Sequence, residues 1–187
     1  MKISLGKTPL IYPIPIVLVG AYVEGKINYV EVGDVAIMGI GTPLVAISLN
    51  TGHHTTKGID ESGIFSLNIP TAGMIKEADF CGIYSGRDTD KSALFTNSDG
   101  VHGAPFIEEC PVNIECKVLK SVTVKNRRIF IAEVLDTIID EKYTEKVNGK
   151  TKIADMVKLD PLIYSLDNKY YRIGGAVGEG YAEGRKL

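Results

Sequence analysis

The chain has 187 residues, 44% of them hydrophobic and 24% charged, which suits one folded domain with a full apolar core. Its 21 Lys and Arg against 23 Asp and Glu leave a formal charge of −2, without the basic excess of a nucleic-acid binder. The longest apolar run, Ile14 to Val19, is punctuated by Pro13 and Pro15 and is too short to span a bilayer; no secretion cleavage site follows it, so a cytoplasmic protein without membrane or nucleic-acid partners is expected.

Strand patterns dominate the first half. Pro15 to Tyr22 reads as a buried strand, Glu24-Gly25-Lys26 as a turn, and Ile27 to Val32 as the returning arm of a hairpin. Val35 to Gly39 is short and apolar, and Gly41-Thr42-Pro43 breaks the chain before a strand over Leu44 to Leu49. A short helix is predicted from about Thr55 to Glu61, then an alternating strand over Ile64 to Ile69 that Pro70 ends. Thr71 is the expected N-cap of the clearest helix, whose apolar face is Met74, Ile75, Ala78, Phe80 and Cys81.

Gly86 to Pro105 reads as a long polar loop, a length that in a compact domain points to function or mobility. Val112 to Val124 and Ile129 to Ile139 form the strongest strand pair, joined by a basic turn, Lys125 to Arg128, read as a solvated hairpin tip. Asp140 to Lys158 is charged and ambiguous. Pro161 to Tyr164 and Tyr170 to Gly174 are two short extended pieces, and a glycine-rich tail begins near residue 175. Many short strands, hairpin turns and few helices predict a mainly β protein, a single antiparallel barrel domain over residues 1–187. A Rossmann fold is unsupported, because Gly39-Ile40-Gly41 lacks the third glycine and runs into Pro43 where a helix would have to begin.

The chemistry-bearing stretch is Ser48 to Ile59, where a strand passes through a polar, glycine-broken bend into a helix that starts with threonines. Backbone N–H groups and hydroxyls at such a start suit an anion, above all a phosphate, and Lys91 or Arg87 in the second polar loop, Ser85 to Lys91, would supply the countercharge. The expected ligand is a phosphate-bearing cofactor. His53 and His54 are adjacent, point apart in an extended turn and lack a third ligand, so no metal site is expected. Cys81, Cys110 and Cys116 form no C-x-x-C pair and are expected as buried, reduced thiols. No nucleophile–base order appears, and no catalytic residue is assigned.

Taken in order from about residue 10 to residue 175, these landmarks make a recognisable set: Pro15 to Val19, the Gly25–Asn28 turn, Pro43 to Leu49, His54 to Ile59, Phe65 to Pro70, Ser85 to Lys91 and Ile129 to Val134. In this the chain resembles the flavin reductase-like, FMN-binding split-barrel proteins, most closely their flavoredoxin-type branch. The resemblance implies a Greek-key split barrel with FMN at a homodimer interface. It implies Asn28 near the flavin, and Ala36, Ile37 and Met38 as the strand beside the ring. Ser48, Leu49 and Asn50 would give backbone and side-chain contacts, with His54, Thr55 and Thr56 at the phosphate end and Lys91 as the charge partner. The chain departs from many relatives in its apolar Val35 to Met38, and in having Arg127 and Arg128 where some carry a histidine before the last long strand.

The function implied is a flavin-dependent oxidoreductase passing electrons from NAD(P)H or a redox partner protein through FMN, with amides of Asn50 to Gly52 stabilising the reduced ring. Two competitors stand beside it: an FMN electron carrier without NAD(P)H activity of its own, and a non-redox barrel that binds FMN.

Overall fold

The computed structural model describes residues 1–153 and 155–186. In chain order the strands are β1 (Ile14–Pro15), β2 (Val17–Val23), β3 (Lys26–Val32), β4 (Val35–Gly39) and β5 (Leu44–Asn50). Then come helix α1 (His54–Ser62), β6 (Ile64–Ile69), helix α2 (Ile75–Ile83), β7 (Asn97–Asp99), β8 (Pro105–Ile107), and the long pair β9 (Val112–Val124) and β10 (Arg127–Ile139). The chain closes with β11 (Thr144–Val147), β12 (Lys150–Ile153), helix α3 (Met156–Leu159), β13 (Ile163–Ser165) and β14 (Lys169–Tyr171).

Seven strands form one antiparallel sheet in the order β3-β2-β6-β9-β10-β5-β4. Laid flat, its edge strands would stand roughly 29 Å apart, six strand spacings of about 4.8 Å. Yet β3 ends at Val32 and β4 begins at Val35, and three Cα steps span at most about 11 Å. The sheet therefore has to curl until its edges meet. The Ser48 N–H donates to the Asp34 carbonyl at 2.9 Å, extending the β4–β5 pairing into that connection, and no ladder joins β3 to β4 among the described residues, so the barrel is split along this seam.

Alternation fills the interior. Val45, Ile47 and Leu49 on β5, Phe65 and Leu67 on β6, and Phe130 and Ala132 on β10 point inward with Val17, Val19, Ala21 and Ile59. Each large side chain so buried contributes about 1.5–3 kcal/mol. A second core covers the outer face of β2 and β3, where Ile16, Leu18 and Tyr29 meet Ala78, Cys81, Phe95, Ile107, Cys110 and Leu162. Strand β2 is thus buried on both faces, which is why Ile16 to Val19 is continuously apolar instead of alternating. All three cysteines are free and buried, and burial raises the pKa of Cys81 and Cys116 to about 12.

The structure revises several expectations. Thr71 gives no side-chain cap; a single 3-10 turn at Ala72–Met74 precedes α2, which buries only Ala78 and Cys81. Gly86 to Pro105 is not a loose loop. It carries a 3-10 turn at Ser92–Leu94 and pairs β7 with β8, and it buries Ala104 and delivers Phe95 to the second core. The ambiguous stretch holds the β11–β12 hairpin and α3, whose N-cap Asp155 accepts from the Val157 N–H at 2.8 Å. Arg127 and Arg128 are not a solvated tip either. Arg128 folds back onto Asp60, at 2.7 Å, and over the Phe130 ring, while Arg127 pairs with Asp34 and Ser48.

Candidate functional site

The site begins with the bend after β5. The Asn50 side-chain oxygen accepts from the Gly52 N–H at 2.9 Å, and the Asn50 carbonyl accepts from the His53 N–H at 2.9 Å and the Thr56 hydroxyl at 3.0 Å. One asparagine thus closes the bend from both sides. The Thr51 N–H is used on the Asn126 carbonyl, so the amides of Thr51 and Gly52, expected to face a ring, are spent holding the turn.

Helix α1 starts one residue earlier than its threonines suggest, at His54, with His53 as an N-cap that makes no side-chain bond. The N–H groups of the first turn have no carbonyl four residues back within the helix. Behind this turn the Asn28 amide donates to the Thr55 hydroxyl at 2.6 Å, tying β3 to α1, and Thr55 is fully buried.

The second loop closes the other side. Lys91 is only 3% exposed, and its ammonium donates to the Cys81 and Tyr84 carbonyls at 3.0 Å each. These are the last turn of α2, where the helix dipole favours a cation. Burial lowers the Lys91 pKa. An ammonium has three donors, and two are committed here. Gly86 presses on Asn28 so closely that a Cβ would overlap its side-chain amide.

Between the two loops lies a cavity of about 250 Å³ lined by Asn28, His53, His54, Thr55, Gly86 and Lys91. It adjoins a wider cleft of about 830 Å³ with which it shares Asn28, His54, Gly86 and Arg87. His53 has its pKa lowered, first by burial and then by the charges of Arg127, Lys91 and Arg87, and its Nδ1 is buried without a hydrogen-bond partner. An imidazole pushed toward its neutral form beside Arg127, Lys91 and Arg87, next to the His54 and Thr55 N–H groups at the start of α1, makes an electropositive recess suited to an anion. Among the described residues no group of three or more His, Cys, Asp and Glu side chains could hold a metal ion.

Of the residues singled out from sequence, Asn28, His54, Thr55 and Lys91 meet in this cavity. Thr56 is buried with its hydroxyl spent on Asn50. The Leu49 side chain is in the barrel core, which leaves only its backbone to face outward. Ala36 and Ser48 line a separate shallow groove of about 400 Å³ with Asp34 and Ile129, where the Ser48 hydroxyl accepts from Arg127 Nε at 3.0 Å. Ile37 and Met38 are exposed on edge strand β4. His53 drew notice only as a metal ligand, Arg127 only as part of the basic turn and a departure from relatives, and Gly86 only as part of the second loop; their place at the cavity has no sequence signal, because it depends on which long-range partners each one meets.

Residues 10–174 match the model of the flavin reductase like domain. The structure is similar to that of a flavoredoxin from Methanosarcina acetivorans, at 36% identity and TM-score 0.92, over 100% of this chain and 98% of that one. It is similar to the flavoredoxin of Desulfovibrio vulgaris (Miyazaki F), at 33% identity and TM-score 0.89, over 98% of this chain and 100% of that one. A split-barrel-domain protein from Shewanella frigidimarina, at 20% identity and TM-score 0.79 over 90% and 86% of the two chains, shares the fold alone. The architecture is the mainly β split barrel expected from sequence. No helix among the described residues is long and apolar enough to cross a membrane.

Proposed function

The chain belongs to the flavin reductase-like domain family, and from that premise we propose that it binds FMN as a homodimer and passes electrons from NAD(P)H, or from a redox partner protein, through the flavin. The observation that carries this reading is the electropositive recess between the two loops, where α1 offers first-turn N–H groups and Lys91 retains an uncommitted donor. A flavin phosphate is close to a dianion at neutral pH. Each charge-assisted contact is worth about 1.5–3 kcal/mol, so three or four, with ring burial, reach the roughly 8 kcal/mol of a micromolar ligand.

The residues fit the group. Gly86 leaves no side chain over Asn28, and the unpartnered His53 Nδ1 marks a polar atom still lacking a partner. Asn28, Thr55 and Lys91 would hold the phosphate end, and His54 would flank it. The shallow groove at Ala36 and Ser48 would lie along the ring, with Ile37 and Met38 adding an apolar edge. The flavin supplies the electron chemistry when bound. The chain supplies binding, orientation and charge: the Arg127 guanidinium, fixed on Ser48, favours negative charge on that side of the site. No side chain is assigned as obligatory acid or base.

The test is the visible spectrum of the purified protein, followed by anaerobic NADH or NADPH. A flavin spectrum that bleaches supports the reductase. A flavin that bleaches only with a reduced partner protein supports the carrier, and one that no donor reduces supports the non-redox binder. A colourless protein that does not quench added FMN fluorescence overturns the reading.

A further inference from the structure

Glu31 on β3, Asp79 on α2 and Tyr170 on β14 converge on one phenol oxygen. Tyr170 Oη stands 2.9 and 3.2 Å from the two Glu31 oxygens and 2.9 Å from Asp79 Oδ1, all at hydrogen-bond distance. A phenol has one proton to donate. It can serve one carboxylate well; the other carboxyl group must bring a proton of its own and donate to the phenol oxygen. If both carboxylates were ionised they would share a single O–H and repel one another.

Among the described residues no cation compensates this pair. Gly82 backs on Glu31, where a Cβ would meet a carboxylate oxygen, and Leu18 on β2 pairs with Glu31 across the ladder. Tyr164 on β13 stacks edge-on against the Tyr170 ring at 5.4 Å. The titratable groups facing this point are Glu77, Asp79 and Cys81 from α2, Tyr170 from β14 and Tyr164 from β13. Lys91 lies beyond Cys81 with its ammonium on the Cys81 and Tyr84 carbonyls. Among the described residues neither Glu31 nor Asp79 has an ion-pair partner.

We propose that Glu31, Asp79 and Tyr170 form a proton-operated clasp. One proton beyond the phenol's own, held between the two carboxyl groups, docks the β13–β14 strand pair on α2, and its loss on alkalinisation releases that pair. When the proton is present, Tyr170 donates to one carboxylate and the protonated carboxyl donates back to the phenol oxygen. When it leaves to solvent, one carboxylate is stranded beside the phenol lone pairs. Consistent with this geometry, burial and the Asp79 charge raise the Glu31 pKa to about 7 against the pull of the Tyr170 hydrogen bond. The folded value lies above the ordinary 4.5, so the clasp is at full strength below 4.5, weakens as pH rises and is gone above about 7. Because Cys81 to Tyr84 wall the cavity and hold Lys91, the clasp also fixes that wall.

The experiment is amide hydrogen exchange of the full chain over residues 163–171 at about pH 6 and about pH 8.5, corrected for intrinsic rates, in the wild type and in Glu31→Gln. The variant's amide donates to the phenol oxygen and has no proton to lose. Wild-type protection is expected to fall about tenfold across this range, while the variant holds its low-pH protection throughout. Equal falls in both proteins, or none in the wild type, would overturn the proposal. If Glu31→Gln does not fold, carboxyl NMR titration of the wild type decides: a Glu31 midpoint above about pH 6 supports the clasp, and any lower midpoint overturns it.

Discussion

The Asn28 side-chain amide donates to the Thr55 hydroxyl at 2.6 Å, so the barrel wall and the first turn of α1 are one unit behind the cavity, and Gly86 seals that unit from the second loop. Gly86 adopts no left-handed backbone angle, so its requirement is one of space. Gly86→Ala should push Asn28 off Thr55 at a cost of about 1–3 kcal/mol, in the range of overpacking. Thermal unfolding should report the loss, and flavin affinity should fall by about tenfold or more as the phosphate-facing turn shifts.

Lys91 carries two duties that one substitution exposes. Lys91→Met keeps the length of the stem but leaves the Cys81 and Tyr84 carbonyls without their donor, a penalty of about 1–3 kcal/mol for the buried Cys81 group. It also removes the charge beside the cavity. FMN retention is expected to weaken by about tenfold or more together with a lower melting temperature. A melting shift with unchanged FMN affinity would confine Lys91 to the α2 terminus.

What the sequence made legible follows from periodicity. The two-period pattern of β5 and β6 and the continuous Ile16 to Val19 run predict strands, and the two polar loops now face each other across one cavity. Long-range pairing was not legible. Nothing local in Gly86 to Pro105 says that Phe95 must cover β2 and β3, and nothing in Lys125 to Arg128 says that the guanidinium groups reach Asp34 and Asp60. Lys91 looks like a surface residue until the α2 carbonyls are placed beside it.

Glu115 shows how that long segment is held. Fully buried on β9, its carboxylate accepts from the His102 N–H at 3.0 Å and the Ala104 N–H at 2.9 Å. Glu115→Gln keeps the volume but sets an NH₂ against those donors. A loss of about 2–4 kcal/mol is expected, since hydrogen bonds to a charged group are each worth about 1.5–3 kcal/mol. Urea unfolding should show a lower midpoint with an unchanged slope.

The exposed apolar edge at β4 gives the assembly prediction. Ile37 is 73% and Met38 56% exposed, and Ile40 beyond them is 88% exposed, a density of apolar surface that suits an interface. In the proposed homodimer, Ile37→Asp should raise the dimer dissociation constant by about a hundredfold or more, as expected for a charge placed at an interface core. Sedimentation velocity checks this. A wild type that sediments as a monomer at all concentrations would remove the dimer from the proposal.

The acid side of stability should belong to His53. Burial and then Arg127, Lys91 and Arg87 depress its pKa below the ordinary 6.5, so the unfolded chain takes up a proton there before the folded chain does. The His53 contribution to stability is therefore full above about 6.5 and is lost as pH falls toward the depressed folded value. His53→Gln cannot be protonated, and relative to the wild type it should lose less stability as pH falls below about 6.5. A bound phosphate-bearing ligand would oppose the three cations and lift the folded pKa back toward its ordinary value. Saturating FMN should then shrink the difference between the two acid curves, and chemical denaturation from about pH 5 to about pH 7, with and without FMN, reads both effects.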